Sequence, residues 1–159
     1  MGDACKCYLV VRLRGPSGLS GEIEYTLALM HLRRSLWASL VRADAPYVGM
    51  LNKVSPYVTW GEPDPETLAR LIRRRAETWD HTSKSDALSK LGCKDELELA
   101  RKICDGELHL KDFFNHFKPY FRLHSPKGGF KRSFKRAFGD EGEAGYRGSA
   151  INDLIRRMI

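Results

Sequence analysis

Between Cys7 and Trp60 the hydrophobic period switches repeatedly between two residues and about three and a half, and few architectures accept such a chain. Cys7-Tyr-Leu-Val-Val-Arg-Leu-Arg14 alternates, with Cys7, Leu9, Val11 and Leu13 on one face and Tyr8, Val10, Arg12 and Arg14 on the other. That pattern predicts a strand with one face toward a core, ended by the turn signal Gly15-Pro-Ser-Gly18. Ser20 is placed to cap a helix whose first turn holds Glu22 and Glu24 and whose apolar stripe is Ile23, Leu27 and Met30, with Arg33 and Arg34 near its end. Leu36 to Val41 predicts a second strand, Asp44 with Pro46 opens a second helix, and Tyr57-Val-Thr-Trp60 predicts a third strand. The result is β-α-β-α-β, an α+β fold with a small sheet and both helices on one face.

After Pro63 the chain reads as helices and loops. Asp64-Pro65-Glu66 opens a helix with Leu68, Leu71, Ile72 and Trp79 inward; Arg73, Arg74 and Arg75 read as a solvated, dipole-complementing end, with RNA contact as the alternative. Shorter helices are predicted over Ser85 to Leu91 and Asp95 to Cys104, followed by a core-packing stripe of Leu110, Phe113, Phe114 and Phe117. Gly139-Asp-Glu-Gly-Glu-Ala-Gly145 reads as an acidic surface loop, and Ile151 to Met158 as a short amphipathic helix. We divide the chain into a core domain over residues 1–62 and a helical extension with a basic loop over residues 63–159.

Charge is where function becomes legible. Residues 118–136 hold seven Lys or Arg and no Asp or Glu, with Tyr120, Phe121, Phe130 and Phe134 interleaved around Pro126-Lys127-Gly128-Gly129. A core segment does not concentrate unpaired cations, because a buried unpartnered charge is strongly unfavourable. Cations that track a polyanion, with rings between them and glycines that let the backbone come close, are the composition of an RNA contact. Self-repulsion among these charges predicts a loop that RNA orders. The whole chain has 27 Lys+Arg against 20 Asp+Glu, a net charge of +7, so the excess is comparable to that of this one segment.

Other classes find little support. Scattered histidines build no catalytic group with Ser or Cys, and Gly128-Gly129 fits neither nucleotide-binding glycine motif. Asp140, Glu141 and Glu143 are conceivable Mg²⁺ ligands, but their glycine spacing reads better as a surface loop. Cys5, Cys7, Cys93 and Cys104 lack the paired spacing of a zinc site, so no metal or cofactor is expected. No apolar run nears a membrane span and Met-Gly-Asp-Ala-Cys5 lacks signal-peptide architecture, so a soluble, cytoplasmic protein with no membrane partner is expected.

Six strings taken in order carry a resemblance: Val11-Arg-Leu-Arg-Gly-Pro-Ser-Gly18, Leu32-Arg-Arg34, Val48-Gly-Met-Leu-Asn52, Val58-Thr-Trp-Gly-Glu-Pro63, Ser125-Pro-Lys-Gly-Gly129 and Ile151-Asn-Asp-Leu-Ile-Arg-Arg-Met158. Together they resemble the universal large-subunit ribosomal protein L-thirty family in its archaeal form, over nearly the whole chain. The resemblance implies an antiparallel order for the three core strands, in a ferredoxin-like arrangement. It also implies a non-catalytic structural constituent of the large ribosomal subunit that binds large-subunit ribosomal RNA. Its partners would be that RNA and neighbouring subunit proteins, with 5S ribosomal RNA as a further candidate. The expected RNA contacts are Arg12 and Arg14 on an open sheet face, Arg33 and Arg34, and Arg147. In the basic segment they are Lys118, Arg122, His124, Lys127, Gly128 and Gly129, then Lys131, Arg132, Lys135 and Arg136. The competing readings are an RNA-binding regulator or chaperone acting off the ribosome and, more remotely, a Mg²⁺-dependent RNA-processing enzyme.

Overall fold

Strand β1 (Cys7–Arg12) lies at the centre of the core, antiparallel to β2 (Trp37–Arg42) on one side and to β3 (Val58–Gly61) on the other. The structure, a computed structural model, describes residues 6–159. Helices α1 (Gly21–Leu29) and α2 (Ala45–Val54) connect the strands. Each begins on the side chain expected of it: Ser20 accepts from the Ile23 amide, and Asp44 accepts from the Tyr47 amide with Pro46 in the first turn. Both helices pack on one face, where Leu27, Met30, Leu51 and Val54 meet Val10, Val41, Val58 and Trp60.

The opposite face, Cys7, Leu9 and Val11 with Ala38 and Leu40, is covered as well. Residues beyond Pro63 supply the cover: α3 (Pro65–Arg75), α4 (Lys84–Lys90), α5 (Glu96–Asp105), α6 (Leu110–His116) and α7 (Ile151–Met158). Leu68, Leu71, Ile72, Leu99, Ile103, Phe113, Phe117, Ile155 and Met158 form one apolar cluster with that face. The extension also widens the sheet. β4 (Phe121–Arg122) pairs with β2, β6 (Gly142–Tyr146) runs parallel to β3, and β5 (Ser133–Ala137) lies beyond it, giving the order β4-β2-β1-β3-β6-β5. Gly61 serves this docking, because a Cβ there would run into the Gly148 carbonyl.

Covering both faces corrects three expectations. Arg12 is not on an open face: its guanidinium is fully buried on the α1 side. There Nη2 donates to Glu24 Oε1 at 2.7 Å, Nη1 to the Leu32 carbonyl at 2.8 Å and Nε to the Arg14 carbonyl at 2.7 Å. The glycine-rich acidic stretch is not a surface loop, since residues 142–146 are strand β6. Within it Glu143 is 4% exposed and takes the Arg147 guanidinium at 2.7 Å. Arg147 also donates to Thr59 Oγ1 at 2.6 Å, so this pair fastens β6 to the core strand. Burial pushes the Arg147 guanidinium down from its ordinary pKa and the Glu143 carboxylate opposes the shift. Trp79 does not point inward; it follows the end of α3, is half exposed, and donates its indole N–H to the Phe114 carbonyl at 2.8 Å.

Three stability outcomes follow from this packing. Leu51→Ala opens a cavity between α2 and the sheet and should cost about 2–5 kcal/mol, read as a shift in chemical denaturation midpoint. Arg12→Met leaves two carbonyls without their donor and should cost about 3–5 kcal/mol in a denaturant titration, while the affinity of the folded fraction for RNA stays the same. Glu143→Ala leaves Arg147 as a buried, uncompensated cation and should cost about 3–5 kcal/mol. Limited proteolysis of that variant should cut first within residues 123–142, because β6 has lost its fastening.

Candidate nucleic-acid interface

Strand direction decides which cations meet. β1 leaves the sheet at Arg12, and its antiparallel partner β2 enters at Trp37 at the same end. Arg14 and the Arg33-Arg34 pair therefore flank one end of the sheet. β4, antiparallel to β2, also leaves there, because Arg122 sits opposite Trp37. The chain then runs through His124 and Lys127 to Arg132 and re-enters the sheet at Ser133, on its far edge. Residues 118–136 are thus a band joining the two sheet edges rather than a free loop.

The centre of that band is tied down. Gly128 and Gly129 adopt φ of +79° and +74°, which residues with a β-carbon rarely adopt, and an added Cβ at either would meet no neighbour. The tight turn this permits is closed by the Gly129 amide on the Pro126 carbonyl at 2.9 Å. Its base is held by α7: the Lys127 amide donates to the Arg157 carbonyl at 2.9 Å, and Arg157 Nη1 donates to the Gly129 carbonyl at 3.1 Å. The turn's outer side stays open, and Lys127, Gly128 and Gly129 are exposed.

The candidate contacts fall into three groups. Arg33, Arg34, Lys127, Lys131, Arg132, Lys135 and Arg136 are exposed, and none of them makes an ion pair among the described residues. Arg14 and Arg34 lie over the rings of Tyr57 and Trp37 at 5.5 and 6.0 Å, and Arg132 over Phe138 at 5.8 Å. Lys118 and Arg122 are partly engaged, converging on Glu77 with Lys118 Nζ at 3.1 Å. Desolvation alone would raise the Glu77 carboxyl, but these two hydrogen-bonded cations outweigh it and hold it below its ordinary pKa. His124 is exposed but its ring is held between the Ser125 and Ile159 backbone oxygens at 2.8 and 2.9 Å.

Arg12 and Arg147 form the third group. Both are buried and hydrogen-bonded internally, each with a Glu, so neither presents its charge at the surface. Arg147 also follows β6, which runs parallel to β3 and so ends at the opposite end of the sheet. Of the rings in the band, Phe121 is fully buried core and Tyr120 stacks on Trp37 with centroids 4.2 Å apart. The Phe134 side chain lies outside what the structure describes, as does Cys5. Two placements were not legible in the sequence. Arg157 supports the glycine turn from 28 residues away, and Arg74 and Arg75 at the end of α3 come up beside Arg122.

Known proteins match this chain along almost its full length. The family model described as Ribosomal protein L30p/L7e matches residues 8–58, which span β1 to the start of β3. The large ribosomal subunit protein uL30 of Korarchaeum cryptofilum is 46% identical over 152 residues, covering 94% of this chain and 93% of that protein. Its counterpart from Hyperthermus butylicus is 42% identical over 97% of this chain and 91% of its own length. The Saccharolobus islandicus protein of the same name is 41% identical over 94% and 96%. With relatives this similar over both core and extension, the chain belongs to the uL30 family of large ribosomal subunit proteins.

Proposed function

We infer that this protein is a structural constituent of the large ribosomal subunit in the cytoplasm and that it grips large-subunit ribosomal RNA with the cationic end of its sheet. The observation that carries the reading is topological: Arg14, Arg33, Arg34, Lys127, Lys131 and Arg132, distant in sequence, are brought to one end of a rigid sheet. Cations fixed on such a scaffold neutralise successive phosphates with little ordering entropy of their own. The open glycine turn lets the backbone reach a groove that side chains would keep at a distance. Neighbouring subunit proteins and 5S ribosomal RNA are further partners in this reading.

A regulator or chaperone acting away from the ribosome would use the same surface. Sucrose-gradient fractionation separates the two, because a subunit constituent stays with the large subunit through a high-salt wash. The RNA-processing alternative needed three carboxylates converging on a metal. Glu143 instead faces inward to Arg147, while Asp140 and Glu141 are exposed on the turn before it, and that arrangement weighs against the alternative.

The direct test is salt dependence. Each phosphate neutralised should contribute about 0.7–0.9 to the slope of log binding constant against log salt. Changing Lys131, Arg132 and Lys135 together to Ala should flatten the slope by about 2–3 units on a large-subunit RNA transcript. Because all three side chains are exposed, the melting temperature should hardly move. An unaltered slope would remove the band from the interface.

A further inference from the structure

A second basic feature lies round the corner from the cationic end, on the flank where α3 stops beside the edge strand β4. An open cleft of about 450 Å³ separates them, walled by Arg74, Arg75, Lys84 and Arg122, with Glu77 and Leu123 between. A helix C-terminus ordinarily repels anions, because its last carbonyls carry the negative end of the helix dipole. Here that end is neutralised: Lys84 Nζ donates to the Arg73 carbonyl at 2.7 Å and faces the Ile72 carbonyl at 3.5 Å. Glu77 is the one acid among the described lining residues, and it is already shared between Arg122 and Lys118. Arg73 leans away to Glu96 at 3.6 Å, whereas Arg74 and Arg75 make no ion pair among the described residues.

The cleft is continuous with the sheet end. Leu123 on its wall donates its amide to the Leu36 carbonyl at 3.2 Å, and Leu36 follows directly on Arg33-Arg34-Ser35. Its walls are mostly long cationic side chains, with little apolar surface to anchor a peptide. Guanidinium forks suit the paired oxygens of a phosphodiester.

We propose that this cleft is a second backbone-phosphate contact. The RNA strand that lies on the cationic end of the sheet continues round the β4 edge and passes between α3 and Arg122. The proposal rests on the RNA-binding reading given above. It assigns Arg74 and Arg75 as the phosphate ligands, with Arg122 shared between the two surfaces and Lys84 a positioning residue that cancels the helix end.

The full chain, an archaeal large-subunit ribosomal RNA transcript and a salt series test it, with three variants against wild type. Arg74→Gln with Arg75→Gln should flatten the log–log slope by about 1.4–1.8 units, two phosphates at about 0.7–0.9 each. The triple change of Lys131, Arg132 and Lys135 should flatten it independently. Lys90→Gln with Lys94→Gln, exposed but outside the cleft, should leave it unaltered. If the triple variant flattens the slope and the arginine pair does not, the cleft proposal is overturned while the RNA reading stands. Binding of a poly-glutamate peptide that is lost in the arginine variant alone would then give the cleft to an acidic protein segment. If neither variant moves the slope, both readings fail together. Should the double variant not fold, Arg74→Gln alone, at an exposed position, should flatten the slope by about 0.7–0.9, and no change there overturns the proposal.

Discussion

A three-stranded sheet with apolar residues on both faces cannot rest with one of them in water, and the architecture of this protein answers that constraint. Helices α1 and α2 bury the Val10 and Val58 side. Leu9, Val11, Ala38 and Leu40 on the other side are covered by material from α3 onward, which makes the extension part of the same packed body rather than an appendage. A fully buried Leu or Val contributes about 1.5–3 kcal/mol relative to exposure, so this second face outweighs any single polar contact that helps hold the extension in place.

Charge is sorted by the same geometry. Two arginines that alternation or composition would hand to a partner, Arg12 and Arg147, are used as internal cross-links, each paired with a Glu and satisfied by further acceptors. Buried guanidinium groups tie separate elements together because their five donors can serve several acceptors at once. Of the candidate contacts, Arg14, Arg33, Arg34, Lys127, Lys131 and Arg132 lie at turns and strand ends, which strand pairing gathers at one end of the sheet. Depth, not sequence context, therefore separates the arginines that cross-link the fold from those left open to solvent.

Much of the core was readable because its signals are local. Ser20 and Asp44 announce their helices, and the alternation in β1 and the stripe at Leu27 and Leu51 place the layers. The errors share one cause, which is distance along the chain. Arg12 pairs with Glu24 on a different element, and no spacing rule connects them. Glu143 and Arg147 are i and i+4, but the glycines around and between them read as loop, and only Thr59, 88 residues before Arg147, reveals a strand position. Composition alone marked the basic segment as an exposed, cationic stretch. That it spans the sheet and is pinned by α7 depends on partners such as Arg157, which local pattern does not supply.

The pairing of β6 with β3 has a kinetic side. Thr59 donates its hydroxyl to the Gly145 carbonyl across 86 residues and accepts from Arg147 across 88, and Asp64 meets Asn152 and Arg156 across 88 and 92. Contacts so far apart raise the relative contact order, and loops must close before any of these bonds can form. During synthesis the β1–α2 half emerges with its second apolar face uncovered, and the cover is completed only when α7 joins α3, α5 and α6 on it. The nascent chain is consequently most prone to aggregation in the interval between completion of that half and its cover by the extension.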